Sequence, residues 1–434
     1  MSNFIINGGK KLKGEIKTNA AKNSAVAILC ATTMIKGKTT LTNVPRIEEV
    51  KRIIEVLTSI GLKIHWTGEH NLEINNPNVL KLSKINKKSF TKTRSGLLLL
   101  GALTPRREKF SLPYPSGCRL GQRTIRPYLI ALEHLGAKIV CANDGIKAQT
   151  KTKKGAEFTM YESGDTATEN TIMAACLTKG ETIIHFASAN YMVQDLCYFL
   201  QAAGAKIKGI GSSTLKIKGV NNLQPVKNYP IMPDPIESMA FISIAITTKS
   251  NLKITHAPID FLRLELEKLR LMGQKFKISH PYKSANGYFD LVDIEITPSV
   301  LTALPEKIHP QPYPGLNIDN LPLFLPILTQ THGQSLVHDW VYENRAIYYI
   351  ELNKLGADIM LLDPHRVTVN GPTPLKAAEI ICPPALRPAI NLLICMLAAD
   401  GTSILRNSYS IERGYEKLVS RLNALGADIK VIEN

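Results

Sequence analysis

A short phrase recurs six times along the chain: IGLKI at 60, LGAKI at 135, AGAKI at 203, MGQKFKI at 272, and LGADI at both 355 and 425. Its glycines, at 61, 136, 204, 273, 356 and 426, lie 75, 68, 69, 83 and 70 residues apart. Before each glycine, apolar residues fall at helical spacing, as in IEEVKRIIEVLTSIG and RGYEKLVSRLNALG. A glycine ends such a helix readily, because it enters the left-handed conformation without strain. The Lys-Ile or Asp-Ile after it opens a short strand, and a turn with a second strand follows (NLEINNP, TLKIKGV, RVTVNG). Upstream of the helix lies another strand, as in KTTLTNV, ETIIHFA and TSILRNS, and before that a second apolar helix, as in AAKNSAVAILCATTM and LRPAINLLICMLAAD. Each unit therefore reads helix, strand, helix, strand, strand, with one further strand leading in. Unrelated segments that share a helix ending would not keep so regular a spacing. The units are too long for a solenoid repeat and too poor in strands for propeller blades. They predict two α/β domains of three units each, helices packed on one another and against surrounding sheets. With 434 residues, 44% of them hydrophobic, the chain can fill both cores. The midpoint falls near NYPIMPDPIES, where Pro233 and Pro235 suit a hinge or crossover.

Charge is unevenly shared. Residues 1–230 carry 34 Lys and Arg against 15 Asp and Glu, whereas residues 231–434 carry 19 against 21. A basic half implies an anionic partner (a phosphorylated metabolite, a nucleotide, a nucleic acid or a membrane surface) or simply lysine-rich solvated faces. Seven cysteines without a CxxC suggest neither a disulfide framework nor a zinc ribbon, and ten scattered histidines suggest no metal site. Apolar runs such as INLLICMLA are too short to span a bilayer, and no basic, apolar leader opens the chain. A soluble cytoplasmic protein without membrane insertion, metal or cofactor is expected.

The stretch PSGCRLGQRTIR sets Cys118 among Arg119, Arg123 and Arg126, in a segment punctuated by Pro115, Gly117 and Gly121. Neighbouring positive charge lowers a thiol's pKa, which makes Cys118 a candidate reactive group; a spectator cysteine is the alternative.

Six such units in two halves resemble the enolpyruvyl transferases. AAKNSA around Lys22, GCRLGQR at 117–123, PDPIES at 233–238, PYPGLNID at 312–319, YENR at 342–345 and ERGYEKL at 412–418 look like that family's motifs, in order, over nearly the whole chain. The resemblance implies two inside-out α/β domains of three pseudo-repeats each. Residues 1–21 with 232–434 would form one, and 22–231 the other, with Cys118 on a lid loop and the active site in the cleft between them. It also implies transfer of the enolpyruvyl group of phosphoenolpyruvate to the 3-hydroxyl of UDP-N-acetylglucosamine, with release of phosphate, a step of peptidoglycan precursor synthesis.

Phosphoenolpyruvate is a small, multiply charged anion, and fixed guanidinium forks suit its phosphate and carboxylate. By resemblance its ligands are Lys22, Asn23, Arg123, Arg387 and Arg413. Asp319 acts as, or positions, the base that takes the hydroxyl proton; a purely structural alternative is an N-cap for the helix that follows. Cys118 is the lid thiol that protonates the methylene carbon or assists product release, and the residue alkylated by fosfomycin. Lys22 completes the catalytic set. The nucleotide sugar would meet Asn23, Arg94, Arg123, Thr124, Ile125, Arg126, Asp319, Val341 and Tyr342. Asp234 and Glu237 match an acidic pair that serves either catalysis or an aspartate–arginine hinge contact.

Departures fall on the nucleotide side. Thr124, Ile125 and Arg126 stand where Pro-Val/Ile-Asp is usual, and Arg119 where a small or hydroxyl residue is common. The usual Ala-Ala-x-Glu-Pro becomes ASANY, so Asn190 replaces a glutamate. Ala385 replaces an aspartate before Arg387, and YESGDTATEN replaces a Ser-Val-rich loop. Another nucleotide or nucleotide-sugar acceptor, or a non-catalytic nucleotide-sugar-binding paralogue, therefore stays open. RNA 3′-phosphate cyclases use similar units, and the basic half would suit RNA. The chain shows no histidine in a recognisable nucleophile motif and no aromatic-rich basic strand, so nucleic acid is the weaker reading.

Overall fold

The computed structural model describes residues 2–77, 79–115, 124–151 and 153–433. All six repeated glycines adopt positive φ, from 85° at Gly356 to 113° at Gly61, the region where a side chain would be strained. Each follows a helix and precedes a strand with an antiparallel partner, a later strand in the first five units and the N-terminal strand in the sixth. The residue three past each glycine faces an apolar partner: Ile64 opposite Ile74, Ile139 opposite Ala148, Ile207 opposite Ile217, Phe276 opposite Ile296, Ile359 opposite Val369, and Ile429 opposite Ile6. A slip of one residue would turn each apolar set to the other face, so the register repeats with the sequence. In each of the six sheets a central strand lies between the one after the glycine and the one upstream of the helix.

Four sheets add a strand in parallel: Glu157–Thr159 and Glu379–Ile381 lead into their own units as expected, whereas Tyr229–Pro230 joins the first unit's sheet and Lys13–Lys17 the fourth's. The fifth unit departs from the expected α-helix. Ala346–Leu355 winds as a 3₁₀ helix, and its buried residues Ala346, Tyr349, Leu352 and Leu355 recur every third position, the period of that helix.

The chain divides into two compact units. The terminal unit joins residues 2–19 to residues 233–433, and the middle unit holds the described residues from 20 to 232. In the terminal unit the N-terminal strand Ser2–Asn7 inserts between Thr402–Arg406 and Ile429–Glu433, supplying the central strand that the sixth unit lacks. Lys13–Lys17 then pairs in parallel with the fourth unit's strand Asn251–Pro258.

Three helices fill the centre of the terminal unit: Pro235–Thr247, Leu321–Leu328 and Leu386–Ala398. They pack on one another and are buried on almost every side, while the strands around them alternate buried and exposed residues. In the middle unit Leu98–Leu103 packs against both Lys22–Ala31 and Asp165–Cys176. Gly101 permits that approach, since a Cβ there would lie 2.2 Å from the Asn170 carbonyl oxygen. No helix among the described residues is long and apolar enough to cross a membrane.

Candidate active site

In the terminal unit, PYPGLNID turns immediately before the helix Leu321–Leu328. Asn317 Oδ1 accepts the Asp319 amide at 2.8 Å, and buried Glu265 accepts Asn317 N–H at 3.1 Å and Asn320 Nδ2 at 2.7 Å. The helix cap is Asn320, so the capping role considered for Asp319 is not the one its carboxylate takes. That carboxylate faces two guanidinium groups instead. Arg387 Nη2 lies 3.2 Å from Oδ2, and Arg345 Nη1 lies 3.6 Å from Oδ1. Asp319 is 28% exposed while Arg345 is fully buried, which leaves the carboxylate as the reachable member of the pair.

Arg345 is held through Nε and Nη2. It binds Asp339 bidentately at 2.6 and 2.8 Å and donates to the Ile318 carbonyl at 2.8 Å. Its guanidinium lies 4.3 Å from the centre of the Tyr342 ring. Tyr349 Oη donates to Asp339 Oδ2 at 2.5 Å. Burial alone would lower the Arg345 pKa, but Tyr349 and Asp339 outweigh it and hold the guanidinium charged. Tyr342 is thus fixed beside the arginine that backs Asp319, with Val341 next to it in the chain.

Arg387 occupies the first turn of helix Leu386–Ala398, behind Ala385, which offers no side-chain cap. Its Nη1 donates to Tyr415 Oη at 3.2 Å. Burial opposes its charge; Asp319, Tyr415 and Asp234 more than offset that and raise its pKa. Arg413 is half-buried, two residues before Tyr415, at the end of the short helix Tyr409–Glu412. Between them, Gly414 admits Leu386: a Cβ would sit 2.2 Å from Leu386 Cδ2. Asp234 accepts Ile236 N–H at 2.8 Å and caps helix Pro235–Thr247. Glu237 takes an arginine: it accepts Arg421 Nη1 at 2.7 Å and Asn19 N–H at 2.5 Å.

In the middle unit Lys22 and Asn23 form the half-buried first turn of helix Lys22–Ala31, and Asn23 Nδ2 donates to Tyr191 Oη at 3.0 Å. Arg94 Nη2 donates to the Thr124 carbonyl at 3.2 Å, and Thr124 Oγ1 accepts Arg126 N–H at 3.1 Å. Ile125 caps the helix Arg126–His134. Arg94 and residues 124–126 are thereby brought together. Cys118, Arg119 and Arg123 lie outside the described residues. Sequence reasoning missed Arg345 as a site residue although it ends the quoted motif YENR, and it missed Asp339 and Tyr191 entirely. Full burial of a charge has no signature in sequence.

Two units of three sheets around buried helices, one of them carrying a carboxylate between guanidinium groups, define the enolpyruvyl transferase class. The chain belongs to the EPSP synthase (3-phosphoshikimate 1-carboxyvinyltransferase) family, whose model matches residues 6–422. It is 34% identical to UDP-N-acetylglucosamine 1-carboxyvinyltransferase of Bradyrhizobium diazoefficiens over 98% of this chain and 97% of that one. It is also 34% identical to the protein of that name from Borreliella burgdorferi, over the full length of both. Among solved structures, the enolpyruvyl transferase NikO from Streptomyces tendae superposes with a TM-score of 0.84 at 23% identity, covering 99% of each chain. An EPSP synthase from Acinetobacter baumannii gives 0.78 at 18% identity over the full length of both.

Proposed function

We propose that this transferase moves the enolpyruvyl group of phosphoenolpyruvate to the 3-hydroxyl of UDP-N-acetylglucosamine. The observation that carries this reading is whole-chain similarity, without large gaps in coverage, to enzymes named for that reaction. In the transfer the sugar oxygen bonds to the enol carbon, the carbon–oxygen bond to phosphate breaks, and the hydroxyl proton must be accepted. Asp319 is the acceptor, or orients it, held by Arg387 and Arg345. Lys22, Asn23, Arg123, Arg387 and Arg413 bind phosphoenolpyruvate, and Cys118 serves as the lid thiol and fosfomycin target. Asn23, Arg94, Arg123, Thr124, Ile125, Arg126, Asp319, Val341 and Tyr342 contact the nucleotide sugar. The role in the cell is a cytoplasmic step of peptidoglycan synthesis, and hence of cell-wall growth, shape and division.

One observation favours a second acceptor. Arg126 begins a helix where an acidic residue is usual, and Asn190 and Ala385 each replace a carboxylate. These changes support another nucleotide or nucleotide sugar as acceptor. Phosphate release from phosphoenolpyruvate with UDP-N-acetylglucosamine, against a panel of nucleotides and nucleotide sugars, tests both readings. Release with UDP-N-acetylglucosamine as the best substrate is expected. Binding without release for every acceptor would leave a non-catalytic paralogue.

A further inference from the structure

We infer that Tyr191 is a positioning residue for Asn23, fixing which face of that amide meets the substrate; this rests on the transfer reading above. Tyr191 is fully buried and begins the helix Tyr191–Ala202, in the position where proline is usual for the family. Its hydroxyl meets Asn23 Nδ2 at 3.0 Å. Its backbone N–H donates to Asn190 Oδ1 at 2.9 Å, and Asn190 Nδ2 donates to Asp165 Oδ2 at 3.1 Å. Asp165, in the first turn of helix Asp165–Cys176, also accepts Ser188 Oγ at 2.5 Å, and Ser188 Oγ accepts Asn190 N–H at 3.2 Å.

The anchoring of Tyr191 follows from the far end of these hydrogen bonds. An ionised carboxylate only accepts, so Asp165 requires the NH2 side of Asn190. That leaves Asn190 Oδ1 for the Tyr191 amide, which anchors the start of the helix and with it the phenol ring. A phenol oxygen can donate or accept, and here it receives Asn23 Nδ2, so the Asn23 carbonyl oxygen is kept as an acceptor. An acceptor suits a donating hydroxyl, as on a sugar, while the second N–H of the same amide stays available to phosphoenolpyruvate. The two departures from the family pattern, Asn190–Tyr191 and Asp165 of YESGDTATEN, therefore meet in one device that orients a substrate-binding amide.

The test is a double-mutant cycle on phosphate release, with wild type, Tyr191→Phe, Asn23→Ala and the double variant. Tyr191→Phe keeps the ring and removes the oxygen. We expect KM for the acceptor to rise about three- to tenfold, with a smaller change in KM for phosphoenolpyruvate and an unchanged Tm. Adding Tyr191→Phe to Asn23→Ala should change nothing further. Asn190→Ser, which cuts the link to Asp165 and leaves the ring in place, should raise the same KM. Additive losses in the double variant, or an unchanged acceptor KM in Tyr191→Phe, overturn the inference. A second readout does not need turnover. With asparagine-selective ¹⁵N labelling, the side-chain amide pair that vanishes in Asn23→Ala should shift in Tyr191→Phe, and its staying in place also overturns the inference. Wild type that releases no phosphate with any acceptor would defeat the transfer reading, while the amide resonance still decides the role of Tyr191.

Discussion

Arg387 Nη2 lies 3.2 Å from Asp319 Oδ2, so the first turn of one buried helix is tied to the turn that leads into another. Arg345 approaches the other carboxylate oxygen. Asp319→Asn keeps the size of the side chain and removes both its charge and its basicity. The rate of phosphate release should fall by about 10²–10⁴-fold, the range for a lost general base. A rate within a few-fold of wild type would take Asp319 out of the chemistry.

The Arg345–Asp339 pair is wholly buried, with Tyr349 as a third member. Arg345→Met strands a buried carboxylate and should destabilise the terminal unit by about 3–5 kcal/mol, whereas removing both charges together should recover much of that loss. Urea unfolding of Arg345→Met, Asp339→Leu and the double variant measures the difference. If the double variant is as unstable as the sum of the singles, the ion pair is not the origin of the cost.

Asp195 in the middle unit is fully buried and accepts Tyr229 Oη at 2.7 Å and Met232 N–H at 3.3 Å. Burial pushes its pKa from 3.8 up to about 7, against the opposing pull of those hydrogen bonds. The folded state therefore binds the proton more tightly than the unfolded chain. Its contribution is fully present below the unfolded pKa and is lost as pH rises through about 7. A shift of that size corresponds to about 4 kcal/mol. Denaturant midpoints of wild type should fall relative to Asp195→Asn across this window; parallel curves would show that Asp195 does not titrate there.

Five described cysteines (30, 176, 197, 382 and 395) are buried, and burial pushes their thiols up, to about 12 at Cys176 and Cys382. Cys141 is exposed. Iodoacetamide should therefore label Cys118 and Cys141 in the native protein, with Cys118 faster because of its arginine neighbours in sequence. Peptide mapping that finds Cys141 modified first would remove the case for an activated thiol at 118.

Replacing Arg413 by Ala should raise KM for phosphoenolpyruvate by about tenfold or more, as expected when a charge-assisted contact to an anion is lost. Titration of phosphate release against phosphoenolpyruvate reads this directly. An unchanged KM would place Arg413 away from that substrate.

Local physics was readable in the sequence. Six glycines announced six helix ends, because a backbone turn that excludes a Cβ is a property of one residue. The strand pairs after them followed from apolar alternation, and the candidate residues Asp319 and Arg387 came from the resemblance. Even the fifth unit's 3₁₀ winding has a trace in sequence, in apolar residues every third position. What sequence could not show was every relationship between distant segments. Ser2–Asn7 completes a sheet with residues more than 390 positions away. Arg345, with no mark to tell it from a surface arginine, is fully buried. Asn190 and Tyr191 look like isolated departures until Asp165 and Asn23 are placed at either end. Helix ends and strand registers are decided by neighbours along the chain. Burial, pairing of charges and the facing of an amide are decided by neighbours in space, and only the packed fold supplies those.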